Sequence, residues 1–212
     1  MKYLIISDVH GNLPALESII KKENDVQGYI NLGDVVNYGP WSNECVDLID
    51  SLTNTINILG NHEEYFIKGS FDLNNELVNK FFSQTYPSFV KLDKIKTYKK
   101  KVYFNDFMIT HNLKDKAYIF IDTNIKVQEN SIIGHSHQQY FRKINDKLLI
   151  NPGSVGQNRK FINLSNYIIW DIEKNTFDLK HQKFDLKFII NEMKIKNYPN
   201  ECVEYYQFKN KM

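Results

Sequence analysis

The chain is poor in sulfur and has no long apolar stretch. Of its 212 residues only Cys45 and Cys202 carry a thiol. Neither stands near another sulfur at a metal-ligand spacing, which excludes a disulfide scaffold and a cysteine-based zinc site and leaves two reduced core thiols. No segment approaches the roughly 18–20 consecutive apolar residues that span a bilayer. The apolar run after Met1-Lys2, from Tyr3 to Ile6, is too short for the hydrophobic region of a signal peptide and has no cleavage site behind it. A cytoplasmic protein without a membrane partner is therefore expected. An excess of charge of one sign is missing as well: 27 basic against 25 acidic residues give a net charge of +2. No overall field calls for long nucleic acid or an anionic surface. The densest basic run, Lys94, Lys96, Lys99, Lys100 and Lys101, reads as a solvated approach to a strand, with a phosphate-recruiting patch as the alternative. Without Gly/Ser-rich or Pro-rich linkers or internal repeats, residues 1–212 are expected to form one domain.

What is present is an ordinary globular composition, 42% hydrophobic and 25% charged, enough to bury a core. The first third alternates in period. Tyr3 to Ser7, Gly28 to Leu32 and Thr55 to Leu59 read as strands; Leu13 to Lys22 and Ser42 to Leu52 carry helical stripes, the first opened by Asn12 and Pro14. This βαβαβ order predicts a parallel sheet. A helix is expected over Asn74 to Thr85, within a segment, 67–96, whose pattern is otherwise weak. Strands dominate afterwards: Lys101 to Phe104 and Phe107 to Thr110 around Asn105-Asp106, Tyr140 to Ile144 and Leu148 to Ile150 around Asn145-Asp146-Lys147, and Tyr167 to Asp171 and Phe177 to Phe184 around Glu173 to Asn175. A closing helix is expected from Leu186 to Lys194.

Five of the six histidines fall into short blocks, each just behind a predicted strand: Asp8-Val9-His10, Gly33-Asp34, Gly60-Asn61-His62-Glu63, Thr110-His111-Asn112 and Gly134-His135-Ser136-His137. In open α/β sheets the loops at the carboxyl ends of the strands converge on one crevice, so these distant residues are expected to meet. Carboxylate, amide oxygen and imidazole together suit hard-to-borderline divalent ions, manganese first, with iron, zinc or nickel as alternatives. Asp8 and His10, two apart, can face one side of an extended exit. Asp34 is placed to bridge two ions through its two oxygens, and the neutral Asn61 limits negative charge facing an anionic substrate. Each block alone has a plain structural reading: a hydrogen-bonded histidine near a strand end, an Asx turn at Gly33-Asp34, or a cap at Asn61. Five blocks in this order at strand exits favour the metal reading. His181 belongs to none of them and reads as an ordinary strand residue.

The order D-x-H, G-D, G-N-H-E, H and G-H-x-H resembles the calcineurin-like metallophosphoesterase superfamily. Asn151-Pro152-Gly153-Ser154-Val155-Gly156-Gln157 is similar to a segment of its small prokaryotic phosphoesterase branch. The resemblance implies a four-layer α/β sandwich, two mixed sheets with helices outside. It also implies two metal sites, Asp8, His10, Asp34 and His137 for one ion and Asp34, Asn61, His111 and His135 for the other. His62 would be the catalytic residue beside them, donating a proton to the leaving oxygen or stabilising phosphoryl charge, with its protonation tuned near neutrality and Glu63 or Asn37 orienting it. The implied reaction is hydrolysis of a small phosphomonoester, phosphodiester or nucleotide by a metal-activated hydroxide attacking phosphorus in line. Protein Ser/Thr phosphatases of the superfamily carry Asp-Arg where this chain has Asn37-Tyr38, which removes a bidentate phosphate clamp and argues against that substrate class. The rival readings are a non-catalytic scaffold subunit, which tends to lose ligands that are all present here, and a nuclease, which the modest net charge disfavours. Tyr38, Trp41 and Tyr65 are candidates for a substrate pocket or for core packing. Association into homo-oligomers is left open.

Overall fold

The first strand sets the architecture. In β1 (Lys2–Ile6) Tyr3 and Ile5 point into one apolar layer while Leu4 and Ile6 point into another. A strand buried on both faces reads as a continuous apolar run, as it does here. The computed structural model describes residues 1–71, 75–113 and 117–212. β1 pairs in parallel with β2 (Gly28–Asn31), and β2 with β3 (Thr55–Asn57). The connections are α1 (Leu13–Lys22) and α2 (Ser42–Ser51). On the other flank of β1, β9 (Leu164–Asp171) and β10 (Thr176–Lys183) run antiparallel and give the order β10-β9-β1-β2-β3.

The second sheet comprises β4 (Lys101–Phe104), β5 (Phe107–Thr110), β6 (Ser131–Ile132), β7 (Gln139–Ile144) and β8 (Lys147–Pro152), in the order β4-β5-β6-β8-β7. Its centre, β5-β6-β8, is parallel, and antiparallel strands close both edges. Asn105 and Asp106 both have positive φ, 49° and 65°, the mirror-image turn whose twist matches a hairpin. Between the sheets lies a layer made by Tyr3, Ile5, Ile30 and Leu32 from one side and Phe107, Ile109, Ile132 and Ile150 from the other. The outer face of the first sheet is covered by α1, α2 and α3 (Asn61–Lys68). Over the second sheet, Ile119, with Ile125 and Val127 beside it, packs on Tyr140 and Leu149. Two mixed five-stranded sheets flanked by helices are thus the architecture expected from the motifs.

The remaining helices form a satellite cluster. α4 (Glu76–Thr85), α6 (Leu186–Ile195) and α7 (Asn200–Phe208) bring Phe81, Ile189, Met193, Cys202 and Tyr206 together. α5 (Leu92–Ile95) is a single turn after a 3₁₀ turn at Tyr86–Ser88. Besides the short α5, which falls in the weakly patterned segment 67–96, two helices differ from the sequence expectation. α7 has a weak stripe and an aromatic-rich composition, so its period does not stand out, and α3 begins inside a block whose residues draw attention to chemistry. The expected start of α4 at Asn74 falls outside the described residues.

Both thiols are buried and free. The basic run behaves as a solvated surface: Lys94 pairs with Asp47 and Asp50, Lys96 with Asp93, and Lys100 with Glu64. Such exposed pairs contribute at most about 1 kcal/mol each. Among the described residues no helix is long and apolar enough to cross a membrane.

The layer between the sheets is expected to dominate stability. Trp170 is fully buried there, with Phe177 stacked 5.1 Å away and Phe107 edge-on at 5.2 Å. Trp170→Ala should lower unfolding free energy by about 3–5 kcal/mol. Urea denaturation checks this, and a loss below about 1 kcal/mol would mean that this layer is not the core.

Candidate active site

Both sheets aim their strand exits at one place. Asp8 and His10 follow β1, Asp34 follows β2, Asn61 and His62 open α3 behind β3, His111 follows β5, and His135 and His137 follow β6. The exits turn sharply instead of remaining extended. Asp8, His10, Asp34, His135 and His137 all have left-handed backbone, with φ of 53°, 49°, 54°, 65° and 58°. The extended exit expected for Asp8 and His10 is therefore replaced by two left-handed residues around Val9, which fold both side chains back toward the centre. Each such residue costs of order 1–3 kcal/mol and persists only where surroundings enforce it. Apart from these and their neighbours Asn37 and Tyr38, the positive-φ non-glycine residues are Asn or Asp, types that adopt this backbone in turns at little cost.

The side chains meet within hydrogen-bonding range. His137 Nε2 lies 3.2 Å from Asp8 Oδ1 and 3.3 Å from His10 Nε2. On the other side His111 Nε2 lies 3.2 Å from Asp34 Oδ2, 3.1 Å from Asn61 Oδ1 and 3.3 Å from His135 Nδ1. Donor atoms of Asp8, His10 and His137 fall within 4.8 Å of one another, as do those of Asp34, His111 and His135, and His10, Asp34 and His62 form a third such group between them. Asp34 belongs to two of these groups. Its Oδ1 accepts the N–H of His62 at 2.8 Å, which leaves Oδ2 facing the His111 imidazole.

Backbone groups orient the rings. Val36, Leu32 and Gln157 offer their carbonyls to Nδ1 of His10, His111 and His137 at 3.2, 2.6 and 2.7 Å. Each carbonyl accepts the Nδ1–H and turns Nε2 toward the centre, the orientation usual for metal-ligating histidine. Glycine permits the close approach of the carboxylates. A Cβ at Gly60 would fall 2.3 Å from Asp34 Oδ1, and one at Gly134 would fall 2.1 Å from Ser7 Oγ and 3.2 Å from Asp8 Oδ2. Glu63 accepts the N–H groups of Gly60, Asp34, Val35 and Val36, three of them at 2.7–2.9 Å. It therefore ties two loops together and does not touch the His62 ring. Asn61 is the first residue of α3, not its cap. Glu63 and Asp34 satisfy the helix N-terminus instead.

His62 is held by Asn37. The Asn37 Oδ1 accepts the N–H of Tyr38 at 2.8 Å, which turns its Nδ2 toward His62 Nδ1 at 3.0 Å. Because Nδ2 donates there, the His62 proton resides on Nε2, on the cleft side. Burial pushes the imidazole down to about 4 despite the nearby Asp34 carboxylate. Burial thus favours the neutral imidazole. Burial raises and the facing imidazoles lower the carboxyls of Asp8 and Asp34. The imidazoles prevail, His137 foremost for Asp8 and His111 for Asp34, and both acids stay ionised.

These residues fit divalent cations. Asp8 Oδ1 is fully buried and faces the imidazoles of His137 at 3.2 Å and His10 at 4.0 Å, a setting costly for a carboxylate oxygen unless positive charge meets it. The donor set is that of sites for borderline ions. A small cleft of about 30 Å³ opens onto Asp34, Asn61, His62, His135 and His137, room for a water-sized group beside them.

Residues 1–175 match the calcineurin-like phosphoesterase superfamily domain. The chain belongs to that superfamily. A Methanocaldococcus jannaschii relative described as the uncharacterized protein MJ0912 is 31% identical, with 86% of this chain and 88% of that protein covered. The fold is similar to the crystal structure of a Sphaerobacter thermophilus metallophosphoesterase, with a TM-score of 0.82, 24% identity and 98% of each chain covered. It is also similar to an archaeal protein described as a phosphodiesterase, with a TM-score of 0.52, 22% identity, and 86% of this chain and 100% of that one covered. Superfamily members of this kind generally bind divalent metals, and the aspartate and histidine clusters here could hold them.

The segment resembling the prokaryotic branch is a brace beside the centre. Ser154 Oγ and Gly156 N–H donate to the Asp8 carbonyl, and Asn151 Nδ2 donates to the Gly134 carbonyl. Tyr65 packs in the core and Trp41 packs against it, whereas Tyr38 lines the cleft. His181 lies on β10, outside the cluster. Residues that the motifs did not reveal are Ser7, whose Oγ donates to Asp8 Oδ2 at 2.6 Å, and Tyr118, which stacks on His135. The carbonyls that fix the rings leave no trace in side-chain identity.

Burial lowers the His111 imidazole, but the Asp34 carboxylate outweighs it and holds His111 up at about 10. A cation taking Nε2 must displace that proton. Binding therefore favours the deprotonated form, and affinity should rise with pH by about tenfold per unit below 10 for the one proton released. Calorimetric titration with Mn²⁺ in buffers of different ionisation heat at pH 7 measures the release. Uptake without proton release would remove His111 from the ligand set.

Proposed function

We propose that the chain is a dinuclear, metal-dependent phosphoesterase acting on small phosphomonoesters, phosphodiesters or nucleotides. The observation that carries this reading is the convergence of Asp8, His10, Asn61, His111, His135 and His137 with Asp34 in one buried cluster, in which the Asp8 Oδ1 faces only imidazoles. Asp8, His10, Asp34 and His137 would hold one ion, and Asp34, Asn61, His111 and His135 the other, with manganese the first candidate. When bound, the pair would neutralise phosphoryl oxygens and acidify a water at near-neutral pH.

The protein's own groups account for the remaining steps. The His62 Nε2–H, fixed by Asn37, faces the cleft and donates a hydrogen bond to a phosphoryl or leaving oxygen. An imidazole that is already neutral stabilises charge by this bond more readily than by giving up its last proton. Asn61 supplies an oxygen without adding negative charge. Tyr38 sits edge-on to His10 at 4.8 Å, where a protein phosphatase would carry the arginine clamp, which favours small substrates over phosphoproteins.

Two variants test the assignment on chromogenic phosphomonoesters and phosphodiesters with added Mn²⁺. His62→Ala should keep its metal and lose turnover by roughly 10²- to 10⁴-fold; unchanged turnover would remove His62 from the mechanism. Asp34→Asn should lose metal, measured by elemental analysis, and a full complement of two ions would overturn the bridging role. Wild-type protein with both ions bound that cleaves no member of a broad panel would point instead to a scaffold.

A further inference from the structure

The cleft that exposes Asp34, His62, His135 and His137 is also lined by Tyr118, Arg159, Tyr205 and Lys209. Arg159 is anchored on one edge. Its Nε donates to the Ser136 carbonyl at 3.3 Å, and its guanidinium carbon lies 4.9 Å from the centre of the Tyr118 ring. Tyr118 in turn stacks on His135 at 4.5 Å with the rings 8° from parallel. The guanidinium is thus set beside the centre with its Nη donors unpartnered among the described residues. Lys209 Nζ donates to the Tyr205 hydroxyl at 2.6 Å and lies 4.1 Å from that ring's centroid.

Among the described residues no carboxylate pairs with either cation, whereas the lysines of the basic run largely have acidic partners. Burial and then the Arg159 charge push the Lys209 ammonium down to about 8. Two cations sharing a wall without a counter-charge leave room for an anion that relieves both. Arginine's planar fork suits a phosphate, with lysine as a point charge beside it.

A cavity of about 390 Å³ shares His137 and Arg159 with the cleft, a size typical of small-ligand sites, which span roughly 300–1,000 Å³. Phe120, Phe161 and Leu164 give it apolar walls. Its amides are mostly committed to the protein. Asn158 Oδ1 accepts the N–H of Lys160 and of Phe161, and Gln139 Nε2 donates to the carbonyls of Tyr167 and Lys180. Such a cavity suits a planar ring held by stacking and shape, since any base offers a face.

Resting on the phosphoesterase reading, we propose that Arg159 and Lys209 form a second anion subsite, and that the substrate is a nucleotide with at least two linked phosphates whose base occupies the adjoining cavity. In the corresponding hydrolysis the water oxygen bonds to the phosphorus held at the aspartate and histidine cluster, and the bond from that phosphorus to the bridging oxygen breaks. The bonding pair stays on the leaving phosphate, where Arg159 and Lys209 offset its charge, and the water's proton is lost to solvent.

The test uses Mn²⁺-loaded protein and the variants Arg159→Gln and Lys209→Gln. Binding of the β,γ-imido analogue of ATP is measured by calorimetry with Mn²⁺ in excess, alongside kcat/KM for p-nitrophenyl phosphate. Each variant should weaken analogue binding tenfold or more and should lower kcat/KM for the single-phosphate substrate by a much smaller factor. Equal losses on both probes, or analogue binding that neither variant changes, would overturn the subsite. Failure of the phosphoesterase reading looks different, because wild-type protein would then cleave no phosphoester while the variants could still lose analogue binding.

Discussion

One buried carboxylate holds the centre together. Glu63 accepts backbone N–H groups from Gly60 and from the turn of Asp34, Val35 and Val36, so the exit of β2 and the start of α3 cannot move apart. Burial and the Asp34 charge push this acid up to about 7, against four donors that favour its ionised form. Asp34 then presents one oxygen to the His62 N–H and the other to the cluster. The placement of Asp34 between the two histidine groups depends on this tie, although Glu63 does not line the cleft.

The sandwich explains how residues so far apart in sequence become neighbours. β1 is buried on both faces, and its register with β2 and β9 fixes where Asp8 emerges. The second sheet delivers His111 and the His135–His137 loop from the opposite side. Ser154 and Gly156 stitch the two halves by holding the Asp8 carbonyl. Apolar burial sets the distance between the sheets, and hydrogen bonds set the angles of the loops. The centre is therefore shaped by the fold before any cation arrives.

Much of this was legible in the sequence because it is written in side-chain identity. Alternation of period located β1, α1, β2, α2 and the hairpin at Asn105-Asp106, and the histidine and aspartate blocks marked the converging exits. What stayed hidden depends on the backbone or on cooperation between distant parts. Left-handed conformation at Asp8 or His137 has no sequence signature, since neither is glycine. The helix at Asn61–Lys68 did carry one, Glu63 in its first turn and Gly69 just beyond its end, but the metal-like pattern overshadowed it. Arg159 and Lys209 lie 50 positions apart and acquire meaning only where α7 brings the second of them to the cleft.

The left-handed loops also restrict which side chains this cluster can accept. At positions 8, 10, 34, 135 and 137 a replacement must tolerate unfavourable backbone torsion before its chemistry counts, and branched side chains are effectively barred there. Asn61 sits in helical backbone and His111 has no such torsion. Freedom to change side-chain chemistry in the cluster is thereby concentrated in those two positions.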